Sequence, residues 1–174
     1  AIRLFEDFRQ NKINIDQAFD INQMAKLMAI KAIFGSSEFD WRDIKFYYNP
    51  ITSLLEPIGR EVHLNKNFSL KDSWWINNQS IFFEKSDQKD FIKLLYEDSK
   101  FYELYLTELQ RLTEKNYLEN IITKNKKEFL NNKRLLEKNF PTTDVFSLEH
   151  FQKVRKIIRN TINPIQGINA YFSD

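Results

Sequence analysis

The 174-residue chain has no cysteine and only three glycines, Gly35, Gly59 and Gly167. The first absence excludes structural disulfides, thiolate chemistry and cysteine-ligated zinc, and leaves the compartment open. The second excludes a Gly-rich phosphate loop of the Walker or dinucleotide type, whose clustered glycines let the backbone close on phosphate. With two histidines, His63 and His150, a multi-histidine metal site is also impossible. No apolar run approaches the roughly 18 to 20 residues of a spanning helix, so no transmembrane segment is expected. Charge of one sign is lacking too: 26 Lys and Arg stand against 24 Asp and Glu, and the net +2 calls for neither nucleic acid nor an anionic membrane.

What is present is apolar and aromatic: 42% hydrophobic residues and 15% aromatic ones, in a length that suits one domain with a core. The opening AIRLFEDFRQ carries acids and lacks the charged-then-apolar order of a signal peptide. It reads as the interior of a longer chain, cut at Ala1.

Asp20 begins the clearest helix. It can cap, Gln23 stands three residues on as in a capping box, and Phe19 with Met24 has the spacing of a hydrophobic staple. Ile21, Met24, Ala25, Met28, Ala29 and Ala32 fall on one face, Gly35 supplies the stop, and both methionines read as core. Residues 44–48 and 54–58 then read as a β-hairpin, with Pro50, Thr52 and Ser53 in the turn. Pro57 cannot donate to a ladder, which marks the second strand as an edge or leaves its hydrogen bonds incomplete. An irregular stretch around Trp74 and Trp75 follows, and those rings could stack a partner or supply one core anchor. Helices are expected at about 87–97, 98–115, 117–139 and 148–162, starting near Ser86, Asp98 and Ser147 and stopped by Pro141 and Asn163-Pro164. The fold class is therefore α+β, mainly α, as helices packed with a β-hairpin. Residues 1–80 carry the hairpin side and residues 81–174 a C-terminal helical part.

Two basic stretches, Lys124 to Arg134 and Lys153 to Arg159, resemble a phosphate-binding footprint. Acids interleave with the first at Glu119, Glu128 and Glu137, so solvated helix faces are expected for both, with no nucleic-acid partner. His150, at a helix start, reads as a surface residue.

The chemistry-bearing candidate is the open end of the hairpin. If Thr52 is its midpoint, paired residues sum to about 104, Phe46 faces Ile58, and Asp43 faces Glu61. Two close carboxylates need a cation, a proton or an Arg between them, and oxygen ligands of this type suit Mg²⁺. The residues alone equally describe solvated acids neutralised by Arg42 and Arg60, and on their own they favour that description.

Several segments carry a resemblance. Phe19-Asp20-Ile21 opening a helix, AIKAIFG, WRDIKFYYNPIT, LLEPIGREVH, FYELYLTEL and VRKIIRNTINPIQGINAYF together resemble the CotH family of atypical, protein-kinase-like spore-coat kinases. The resemblance spans most of the chain through short, loose motifs. It implies the C-lobe side of a kinase-like fold and transfer of phosphate from ATP to protein Ser or Thr, with Mg²⁺ or Mn²⁺. Asp43 then stands where the family has Asn or Asp before the strand, as a ligand or a base for the substrate hydroxyl. Glu61 stands at the first Asp of the closing motif, as a metal ligand, and His63 at the second. Trp41 precedes them in a loop that shapes the site, placing Trp41 and His63 on the cofactor side.

The chain also departs from that pattern. Glu for Asp at 61 keeps an oxygen ligand but moves it outward, and His63 replaces a hard oxygen with imidazole, a poorer ligand for Mg²⁺. The ATP-facing N-terminal lobe would lie before Ala1, so these residues by themselves are expected to be inactive, with the preceding polypeptide as their first partner. A different class of function fits the same departures: a non-catalytic, pseudokinase-like scaffold at a cell surface or in a larger assembly, holding a protein partner.

Overall fold

The structure, a computed structural model, describes residues 1–36, 45–59, 62, 94–141 and 148–163. Its elements are α1 (Ile2–Arg9), α2 (Ile15–Ala18), α3 (Ile21–Phe34), β1 (Lys45–Asn49), β2 (Leu54–Ile58), α4 (Ser99–Leu112), α5 (Tyr117–Lys124), α6 (Lys126–Asn139) and α7 (Leu148–Ile162), with residues 94–97 also helical. The described chain is thus mainly α, with one two-stranded antiparallel sheet. No described helix is long and apolar enough to cross a membrane.

The central element is α3. Met24, Ala25, Met28 and Ala29 are wholly buried, and Leu27, Lys31 and Ile33 are buried too, so the helix is enclosed around most of its circumference. It packs chiefly on α4, and α7 closes a three-helix core against both. Phe101, Tyr105, Leu109 and Leu112 from α4 and Phe151, Val154 and Ile158 from α7 supply the facing apolar stripes. One continuous apolar cluster runs from Phe8 to Ile158.

The ends of α3 follow from its sequence with one difference. Asp20 caps it, Oδ1 accepting from the Gln23 backbone N–H at 3.0 Å. A true capping box would return the Gln23 side chain to the Asp20 backbone N–H. Instead Gln23 Nε2 donates to Asp20 Oδ2 at 2.9 Å, and the Asp20 N–H donates to Leu55 O at 3.0 Å, which ties the helix start to the hairpin. Gly35, at φ 65°, ψ 22°, is left-handed as the C-cap, a geometry that a side chain would strain.

The hairpin register differs by one from the expected sum of 104. Phe46 pairs with Pro57 and Tyr48 with Leu55, a sum of 103, and Ile58 pairs with Lys45. The reason is the turn. Asn49 pairs with Leu54, so the loop holds four residues, an even number, and its centre lies between Ile51 and Thr52 rather than on Thr52. Asn49 Oδ1 accepts from the Ile51 N–H at 2.9 Å, and Ser53 takes φ 60° to close it. The slip exchanges faces. Phe46 and Leu55 now share the packed side, with Phe46 5.2 Å from the Phe19 ring and 6.0 Å from Phe5, while Ile58 lies 48% exposed. The carbonyl of Leu55 points to Asp20, away from β1, and Pro57 shares that orientation. Its missing N–H therefore falls on the outer side of β2, where no ladder bond to β1 is lost.

The helices after residue 94 follow the expected spans with one break. Asp98 caps α4, accepting from the Phe101 N–H at 2.8 Å. The expected helix at 117–139 is interrupted at Asn125, which ends α5 and begins α6. Its side chain donates to Ile121 O at 2.8 Å, the local side-chain bond by which Asn competes with helical geometry.

The basic residues of α7 are not all solvated, contrary to expectation. Lys153 and Lys156 are exposed, whereas Arg155 is 6% exposed. Its Nη2 donates to Glu114 O and its Nη1 lies 3.5 Å from Glu119 Oε2, while Arg159 Nη1 donates to Thr113 O at 3.2 Å. Two arginines thus satisfy carbonyls at the C-terminal end of α4 and meet its negative dipole end. His150 is half-buried rather than superficial, its ring edge to face with Phe151 at 6.2 Å.

Candidate functional site

The described residues include the hairpin strands that lead toward the candidate residues. α2 and α3 hold the Phe19-Asp20 corner, and β2 docks there through the Asp20–Leu55 bond and a one-residue parallel bridge between Phe19 and Leu55. The edge-to-face contacts of Phe19 with Phe5 and Phe8, at 6.3 and 5.1 Å, lock this corner against α1. From that base the strands run to a paired open end, Lys45 opposite Ile58.

Asp43, Glu61, Trp41 and His63 all lie outside the described residues, as do Arg42, Arg60, Trp74 and Trp75. The register from which Asp43 was placed opposite Glu61 is displaced by one residue within β1 and β2, so that derivation of their pairing does not stand. The donor set itself is mixed in its fit to a metal. The carboxylates of Asp43 and Glu61 are the hard oxygens that Mg²⁺ takes, and the imidazole of His63 is not. Among the described residues no group of three or more His, Asp or Glu could hold a metal.

The concavity beside this corner was not foreseen. A cavity of about 500 Å³ lies between the start of α3, Leu54 and α4, with Asp16, Asp20, Lys100, Glu103 and Thr107 among its polar walls. Its acids are largely engaged: both Asp20 oxygens hold Gln23, and Asp16 Oδ2 pairs with Lys100 Nζ at 3.1 Å. No nucleophile stands hydrogen-bonded to a base there, so this arrangement offers polar binding surface and no evident acid–base chemistry.

Two buried cations also escaped the sequence reading. Lys31 is 1% exposed and Arg155 6%. Lys31 has a legible signal, since it stands seven residues after Met24 and returns to nearly the same helical angle, on the buried stripe. Arg155 sits beside Val154 and between two exposed lysines, and its role needs α4 to be in place. Comparison of the chain with protein families, with curated proteins and with solved structures finds no match to any of them.

Proposed function

We propose that this chain is the C-terminal, mainly helical part of a CotH-like protein kinase, carrying the metal side of a kinase-like cleft. The observation that supports this reading is the docking of the hairpin on the α3 start. Of the segments that carry the resemblance, Phe19-Asp20-Ile21 and the described parts of WRDIKFYYNPIT and LLEPIGREVH form one packed unit through Asp20–Leu55 and Phe19–Phe46. In this reading Glu61 is a metal ligand, and Asp43 is a second ligand or the base that accepts the proton of a protein hydroxyl. Trp41 and His63 flank ATP. Bound Mg²⁺ or Mn²⁺ would neutralise the phosphates of ATP, and the protein's own part is to hold the hydroxyl in line and exclude water.

The test is a melting curve of the polypeptide extended before Ala1, with and without Mg²⁺-ATP. Saturation at a hundred times Kd is worth about 2.7 kcal/mol, a shift of several degrees that Glu61→Ala should abolish. Absence of a shift in the extended wild-type protein overturns the reading.

A second reading rests on Glu61 and His63, which depart from an acidic pair. It makes the protein a pseudokinase-like scaffold, and it requires that ATP, if bound, never transfers its phosphate to protein in the presence of Mg²⁺ or Mn²⁺.

A further inference from the structure

The stretch from Lys124 to Lys138 holds six cations and two acids, a net +4 where the whole chain carries +2. Neither α5 nor α6 contains a buried residue, and among the described elements α6 has α5 as its principal neighbour. A 14-residue helix, about 21 Å long, therefore stands off the three-helix core. Helices of this length are marginal in water without packing, so the element lacks most of what normally holds one.

Its surface is more than a solvated face. Leu130, Leu135 and Leu136 are 52%, 45% and 46% exposed. Among the described residues Lys133 pairs with Glu137 at 3.6 Å, while the side chains of Lys124, Lys127 and Arg134 make no ion pair or hydrogen bond. Those three cations and Leu130 line an open groove of about 640 Å³ at the α5–α6 elbow, with Glu128 beside them.

The character of this surface selects its occupant. At 100° per residue Leu135 and Leu136 point roughly 120 to 140° away from Leu130, so the groove itself presents a single apolar side chain and no broad apolar face to a bilayer. No aromatic side chain lines the groove to stack a base. A second copy would bring another +4 against this one. Carboxylates spaced around an apolar side chain complement it.

We infer that the Lys124–Lys138 arm docks an acidic, leucine-bearing helical segment of a partner protein, with carboxylates on Lys124, Lys127 and Arg134 and an apolar side chain on Leu130. This inference is independent of the kinase-like reading. It is tested by titrating the protein with a synthetic helical peptide of repeating Glu-Glu-Leu-Leu sequence at about 0.15 M salt, where charges beyond about 8 Å are screened. Saturable binding is expected, weakened at least about tenfold in the triple variant Lys124→Glu, Lys127→Glu, Arg134→Glu. Leu130→Ser, which leaves the charge untouched, should weaken it about fivefold. Both variants should melt with the wild-type protein because neither helix has a buried residue. No saturable binding, or unchanged affinity in Leu130→Ser, overturns the inference. So does equal binding of leucine-free polyglutamate, single-stranded DNA or phosphatidylserine vesicles.

Discussion

At the scale of the residue, adjacent cationic side chains on one helix have different work. Arg155 and Lys156 are neighbours on α7, yet the first is enclosed between α4 and α5 and the second is exposed. Arg155 satisfies the Glu114 carbonyl and faces Glu119, whose carboxyl is held below its ordinary value first by its own backbone N–H and also by Arg155. Replacing Arg155 by Ala removes a charge-assisted bond and a buried stem, at an expected cost of about 2 kcal/mol. Arg155→Lys should recover only part of this, because an ammonium cannot fork to carbonyl and carboxylate together. Lys156→Ala should stay within about 0.5 kcal/mol of wild type. Urea midpoints at constant slope measure all three, and equal losses for Arg155→Ala and Lys156→Ala would sink the distinction.

At the scale of the element, the hairpin turn decides which side chains meet α3. Asn49 does this from two atoms: Oδ1 holds the Ile51 N–H, and Nδ2 donates to Glu56 Oε1 across the strands at 2.6 Å. Asn49→Ala is expected to weaken the hairpin by about 1.5 kcal/mol, raising exchange of its backbone amides about tenfold. Ser53 sits at φ 60°, where a Cβ is unfavourable, so Ser53→Gly should have the opposite sign and slow that exchange. Hydrogen exchange followed by NMR reads both, and cross-strand contacts between Tyr48 and Leu55 report whether the register survives. The break at Asn125 belongs to this scale as well. The apolar spacing of residues 117–139 fits one long helix, and a single amide side chain bonding back to Ile121 divides it.

At the scale of the whole molecule, packing of α4 on the 94–97 turn controls the response to alkali. The Tyr96 and Tyr105 rings meet edge to face at 5.2 Å. Burial pushes both hydroxyls above the ordinary tyrosine value, for Tyr105 with a further rise from Tyr96. The Tyr96 residue as a whole is half-buried, but its hydroxyl oxygen is enclosed. The unfolded chain loses these protons near pH 10. The folded chain keeps them, so its advantage is fully present below pH 10 and falls as pH rises above it. Each hydroxyl is expected to lower stability by about 1.4 kcal/mol per pH unit there, and Tyr105→Phe should roughly halve the slope between pH 10 and 11.5. Urea midpoints across that range supply the slope, and the tyrosinate absorbance lost in Tyr105→Phe should rise only with unfolding.

The sequence by itself determined what depends on near neighbours. The Asp20 cap, the Gly35 stop, the core methionines, the hairpin and the helices on α4 and α7 follow from spacing, because capping and amphipathic periods are local. The solvated character of α6 was legible in its interleaved charges, and the hairpin register follows from the length of its turn, whereas the burial of Arg155 follows from contacts between distant segments that no local pattern contains. Of the candidate site, the strands that lead to Asp43 and Glu61 are in place, while Asp43, Glu61, Trp41 and His63 lie outside the described residues. Tertiary structure alone decided which face of the hairpin is inward. The four-residue loop pairs Phe46 with Pro57 and Tyr48 with Leu55, and docking on Phe19 and Asp20 turns that face inward and leaves Ile58 48% exposed.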